Sequence, residues 1–339
     1  MATQTLPFED IKRFAARIGA DSNLVQGRSG TLSYKDSGLM WVRAEMASLS
    51  IAEQSEIFIP LRIDKILSGI EAGLHDPNEQ ATLEAELNQE LDKVVRPLPF
   101  TALDSLFEHP LVLQVTPPDL LAITAERNAE EILSERLDGL NWAFARLAAP
   151  GAELNRSVTK ALRGHSAAVD ILVISHWGAV VAGTDPTSVS ANLVELARRL
   201  KRPSRPVPRP AFAHLKNMLK KDESWRLPEH PEIHALGCDS KSLKACTNGL
   251  LTLGQAMTLG LGLPVANSGE PLWQAALRHE KEFLEKPGYI IVPKMGVVVA
   301  SDLTPQTEAL LAGFARMTLR LQTINDLMSF TIEDIESYL

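Results

Sequence analysis

Two short apolar runs constrain this chain more than anything else in it. Pro110-Leu-Val-Leu-Gln-Val-Thr116 and Asp170-Ile-Leu-Val-Ile-Ser-His-Trp-Gly178 are branched aliphatics bounded by breakers. That pattern reads as buried strand rather than helix. In the first run Gln114 and Thr116 stand two positions apart, so their side chains leave the same face of a sheet.

Amphipathic spacing surrounds these strands. Helices are expected over Phe8–Gly19, Glu79–Val95 (Leu83, Leu87 and Leu91 inward), Thr101–Phe107, Ser157–Gly164, Pro186–Lys201 and Thr304–Gln322. Another starts at Pro117-Pro118-Asp119 with Leu120, Leu121 and Ile123 inward. Two short strands turn at Asp36-Ser-Gly38. Asp138–Leu147 fits helix or strand. Further on, Ile233–Asp239, Leu250–Gly254, Tyr289–Pro293 and Gly296–Ser301 look like strands, the last pair forming a hairpin. A short terminal helix is expected from Thr331, with Asp334 at capping-box spacing.

A length of 339 residues, against about 100–200 per domain, implies two domains. Arg202–Pro210 holds four prolines and is the best linker, which gives domains of 1–204 and 205–339. A net charge of −8 argues against general nucleic-acid binding, which needs clustered cations. Arg198-Arg199-Leu-Lys201-Arg202 is explained by a helix end running into the linker. No window reaches the roughly 18 consecutive apolar residues of a membrane helix. The N-terminal residues carry no signal-peptide pattern, and the two cysteines, Cys238 and Cys246, are too few for a disulfide framework. A reduced, cytoplasmic setting is the expectation.

Gly27 and Gly30 flank Arg28 and Ser29; such a loop cradles an anion or simply turns the chain. His230, His234, Cys238 and Cys246 lack a standard zinc spacing, and the cysteines read as small buried hydrophobes.

The chain resembles the class II aldolase/adducin family. More narrowly it is similar to the aldolase-like part of bacterial fusion proteins in which a rhamnulose-phosphate-aldolase-like region precedes a short-chain dehydrogenase. The stretches that carry the resemblance are 16–27, Leu39-Met-Trp-Val-Arg43, Ile57-Phe-Ile-Pro60, Arg96-Pro97, the strand from Leu111, and Gly178-Ala-Val-Val-Ala-Gly183; in the second domain they are Pro231-Glu-Ile-His-Ala-Leu and Asp334-Ile-Glu-Ser-Tyr338. No Gly-x-Gly-x-x-Gly fingerprint of a dehydrogenase is present. The resemblance implies a three-layer α/β/α domain with a mostly antiparallel central sheet, followed by a smaller C-terminal α/β domain. It also implies a homo-oligomer, a tetramer in common relatives.

In that family a divalent metal, held by His-x-His and a third His, polarises the oxygens of a sugar phosphate while a Glu moves the proton. Carried over, the Glu position is Phe100, the His-x-His positions are Gln114 and Thr116, and only the third matches, as His176. The first phosphate loop becomes Ser29-Gly30-Thr31-Leu32-Ser33, keeping Gly30 and Ser33, with Thr31 replacing Asn. The second becomes Ala44-Glu45-Met46, where Glu45 would repel a phosphate. A metal-free protein binding a sugar or sugar phosphate is the first expectation. Its substrate residues are Gly27, Ser29, Gly30, Thr31, Ser33, Glu45, Gln114 and Thr116, and no cofactor is called for. The alternative is a lyase or epimerase with zinc or manganese at a site rebuilt around His176, drawing on Asp104, His109 and Glu45. A third is an interaction protein of adducin kind. For His176 the competing reading is a packed histidine at a strand end; for Asp104, a solvated helix position.

Overall fold

The computed structural model describes residues 6–82, 96–331 and 333. The helices expected beyond Thr82 and beyond Thr331 fall outside those residues. Contacts divide the chain into two units, Met1–Pro117 with Glu130–Leu200, and Pro118–Ala129 with Lys201–Ser337. Pro118–Ala129, which precedes residue 204, groups with the second unit. Among the described residues no helix is long and apolar enough to cross a membrane.

The first unit is built on seven strands: β1 (Thr31–Asp36), β2 (Leu39–Arg43), β3 (Phe58–Arg62), β4 (Leu111–Val115), β5 (Trp142–Ala145), β6 (Ile171–Ile174) and β7 (Gly178–Gly183). Their order is β3-β2-β1-β4-β7-β6-β5, and every neighbouring pair except β5–β6 is antiparallel. The ambiguous stretch 138–147 thus contributes the edge strand β5. At the β1–β2 turn Ser37 and Gly38 both take positive φ, 49° and 83°, the geometry that joins twisted strands through two residues.

Register decides the two faces. Thr31 lies opposite Gln114 and Ser33 opposite Val112, while Gln114 lies opposite Val180. One face therefore carries Thr31, Ser33 and Lys35 of β1, Val112 and Gln114 of β4, and Val180 and Ala182 of β7. It is covered by the 3-10 segment Pro99–Leu106 and the helices Ile63–Glu71 and Ala152–Arg163. Leu154 and Val158 pack there with Leu172, Ile174 and Val180, and Ile66 packs with Met40, Val42 and Leu61. Each such side chain is worth about 1.5–3 kcal/mol of burial. On the other face Phe8 of the helix Phe8–Ala20 sets its ring 5.2 Å from Trp41, and the helix Pro186–Leu200 lies along β7 and β4. These are the three layers expected.

The second unit holds the strands β8 (Trp225–Arg226), β9 (Tyr289–Val292) and β10 (Gly296–Ala300) in the order β8-β10-β9. The helix Pro305–Thr318 packs Leu311, Phe314 and Ala315 onto Ile291, Val297 and Val299. Two expected strands are helical instead. Ile233–Asp239 forms a 3-10 turn, Pro231–His234, and a short helix, Ala235–Cys238, because Pro231 presets the first helical turn. Within Leu250–Gly254 the Thr252 hydroxyl accepts from the Gln255 amide and caps a helix at Leu253–Leu259. Pro118–Ala129 is clasped into this unit by charge. The Glu126 carboxylate, 4% exposed, accepts from both terminal nitrogens of Arg202 at 2.6 and 3.1 Å, and Asp119 accepts from the Arg202 amide at 2.7 Å.

Candidate functional site

The residues singled out in the sequence gather where β1 begins and β4 ends. Two glycines allow the approach. A Cβ on Gly30 would lie 2.5 Å from the Val25 side chain, and one on Gly178 would lie 2.3 Å from the Val115 carbonyl oxygen. Neither position tolerates a side chain without displacing its neighbour.

Gln114 and Thr116 share a face and have different partners. The Gln114 amide nitrogen donates to Asp104 Oδ1 at 2.9 Å, and Ser33 donates its hydroxyl to Asp104 Oδ2. Asp104 is fully buried. The reading of it as a solvated helix position is therefore overturned, and the cause is helical pitch. Pro99–Leu106 is a 3-10 helix, in which residues three apart eclipse. Four positions then rotate Asp104 about 120° away from Phe100. Phe100 instead meets Trp177 edge-on, with ring centroids 4.7 Å apart, and joins the apolar cluster with Val112 and Val180.

Thr116 belongs to a closed ring of hydrogen bonds. Its hydroxyl donates to Gln26 Oε1 at 2.7 Å and meets Ser29 Oγ at 2.8 Å. Ser29 Oγ in turn accepts from the Gln26 backbone N–H at 2.9 Å. Because Thr116 has given its proton to Gln26, Ser29 must donate to Thr116. Thr31 differs: its hydroxyl is buried and has no hydrogen-bond partner, nor has Gln114 Oε1.

Burial pushes the Asp104 carboxyl up to about 7, with the Ser33 and Gln114 donors and the charge of Lys35 pulling it back. Lys35 donates to the Phe107 carbonyl, and burial brings its ammonium down to about 8 against the pull of Asp104. Spacing alone did not single out Lys35, although the polar alternation Thr31, Ser33, Lys35 was visible.

Arg43 was likewise not singled out as a site residue. It is fully buried and donates only to backbone: Gly30 O at 2.9 Å, Arg28 O at 3.0 Å, Ala44 O at 2.9 Å, Glu45 O at 3.1 Å, and Ala47 O. Both loops that match the family's phosphate loops thus hang on one guanidinium. Without a carboxylate partner, burial lowers its pKa to about 10. Gly27 sits at φ +58° in the first loop; Glu45 is exposed in the second, its amide bonded to the Arg96 carbonyl.

His176, 2% exposed, takes the left-handed conformation at φ +58° in the turn between β6 and β7, a strained state for a non-glycine residue. His109 is placed elsewhere. It precedes β4 at the end remote from Thr116, and its Nε2 lies 3.1 Å from Asp170 Oδ1. His109 precedes the strand Leu111–Val115, and its imidazole is engaged with Asp170 rather than with the groups around Gln114. In the second unit His234 Nδ1 accepts from the Val297 amide at 3.1 Å and Cys246 is buried.

A divalent metal does not suit this donor set. Of the three positions that match the family's histidines only His176 carries an imidazole; Gln114 turns its nitrogen to Asp104 and Thr116 is bonded to Gln26 and Ser29, so the set lacks the strongly donating ligands such an ion favours. Among the described residues no group of three His, Cys, Asp or Glu side chains is placed to hold a metal ion.

No protein-family model matches the chain, and no curated protein matches it. Solved structures do. A class II aldolase domain at the N-terminus of a conserved Thermoplasma acidophilum protein is 16% identical, with a TM-score of 0.47 over 59% of this chain and 97% of that one. A sugar-phosphate aldolase from Thermotoga maritima is 11% identical, with a TM-score of 0.38 over 65% and 96%. L-fuculose 1-phosphate aldolase from Glaciozyma antarctica is 12% identical, with a TM-score of 0.37 over 57% and 70%.

Proposed function

We propose that this is a class II aldolase-like protein that binds a sugar or sugar phosphate and does not carry out metal-dependent aldol cleavage. The observation that supports this reading is the commitment of Gln114 to Asp104 and of Thr116 to Gln26 and Ser29. The side chains standing where metal-binding histidines would be are parts of an internal hydrogen-bond network. Phe100, in the place of a proton-transferring glutamate, packs against Trp177 and has no proton to move.

A second reading has one observation in its favour. His176 holds a strained backbone conformation while buried, and such strain collects at functional sites. A lyase or epimerase rebuilt around His176 would use it.

Elemental analysis of the protein purified without added metal, beside His176→Ala, separates the two. The binding reading expects less than a tenth of an equivalent of zinc or manganese in both, and no aldehyde release from ketose phosphates with either metal added. Stoichiometric metal lost in the variant would overturn it in favour of the rebuilt enzyme.

A further inference from the structure

We infer that the Thr31–Gln114 pair is a subsite for an uncharged ligand hydroxyl, with Asp104 as the positioning residue that sets its polarity. This deepens the binding reading above and rests on it. Thr31 and Gln114 are direct cross-strand partners on one face, which sets their Cβ atoms about 5 Å apart. Thr31 is fully buried and Gln114 is 2% exposed, yet Thr31 Oγ1 and Gln114 Oε1 both lack a partner. Polar atoms left so are costly, and native proteins rarely keep them. A group that bonds both repays the cost.

The chemistry of that group follows from the orientation of the amide. The nitrogen of Gln114 faces Asp104 Oδ1; turning the amide over would set oxygen against a carboxylate oxygen. The oxygen of Gln114 is therefore what the subsite presents, and it requires a donor. A phosphate dianion or a carboxylate has no proton to give. The carboxylate of Asp104 behind the amide and that of Glu45 in the exposed loop also disfavour an anion. In the first loop Arg28 turns its guanidinium to Met46 Sδ, at 3.4 Å. A hydroxyl fits, since it donates to Gln114 Oε1 and pairs with the Thr31 hydroxyl. In the loop that leads into β1, Gly27, Arg28 and Ser29 are half-buried. The ligand class is a polyol or unphosphorylated sugar. An ordered water offers the same hydroxyl chemistry, and the test separates the two.

The whole chain would be titrated calorimetrically at pH 8 with dihydroxyacetone and fructose, and with dihydroxyacetone phosphate and fructose 1-phosphate. The unphosphorylated compounds should bind roughly tenfold or more tightly than their esters, and Thr31→Val, which keeps the shape and removes the hydroxyl, should lose about tenfold in affinity. In Asp104→Asn the new amide can donate to Gln114 Oε1 and turn the Gln114 nitrogen into the subsite, so the preference for unphosphorylated ligand should shrink or invert. A merely structural role for Asp104 would lower both affinities together. Tighter binding of the esters, or wild-type selectivity in both variants, would overturn the subsite and leave the binding reading standing. Absence of binding by either class would make the hydroxyl a water and remove both.

Discussion

The two units each bury a carboxylate, and they treat it in opposite ways. In the second, Glu126 meets the paired nitrogens of Arg202, and Glu308, also buried, meets Arg226 at 2.6 Å. In the first, Asp104 meets only neutral donors, Ser33 and Gln114. A carboxylate inside an ion pair stays charged and acts as a clasp, whereas one among hydroxyls and amides is stranded near its titration point. The first unit thereby carries a proton-sensitive seam between two apolar clusters; the second carries fixed charge.

Breaking the clasp should have the largest effect. Glu126→Ala leaves the Arg202 guanidinium buried without its partner and should cost about 3–5 kcal/mol, read as a lowered urea midpoint. A loss below about 1 kcal/mol would place that pair with surface ion pairs.

The stranded carboxyl gives the next effect, and its sign is set by the raised pKa. Asp104 folded titrates near 7, against about 3.9 unfolded. Between those values the folded chain holds the extra proton, so stability falls as pH rises from about 4 through 7, approaching 1.4 kcal/mol per unit. Asp104→Asn should flatten the urea midpoint between pH 5 and 8; an unchanged slope would assign it to other groups. Lys35 acts above that window, since its lowered pKa makes stability rise with pH from about 8 upward.

The smallest effect runs the other way in the second unit. Burial lowers the pKa of His234, so its contribution is present above about 6.5 and lost as pH falls. His234→Gln should lessen the acid sensitivity of that unit by less than Asp104→Asn changes the first. Equal and same-signed changes would erase the contrast.

How legible this was in sequence depended on the distance between partners. The strands β4 and β6 were plain because an apolar run between breakers is a local signal, and the same face for Gln114 and Thr116 followed from the two-residue period. Asp104 was misread because a 3-10 segment and a single helical turn look alike over eight residues, yet they aim the fourth residue differently. Lys35, Arg43 and Gln26 escaped notice because their partners are backbone carbonyls or side chains far along the chain. The capping Thr252 and the presetting Pro231 were legible, and the apolar content of their segments outweighed them.

The anchoring of both loops on Arg43 has a bearing on how such a protein changes over time. Its guanidinium holds carbonyl oxygens, which every amino acid supplies, and makes no hydrogen bond to the side chains at positions 28, 44, 45 and 47. Loop shape is thereby uncoupled from loop chemistry. Substitutions can exchange the groups offered to a ligand while the frame that presents them stays fixed, so a binding site on this scaffold can drift from one chemistry to another without passing through an unfolded ancestor.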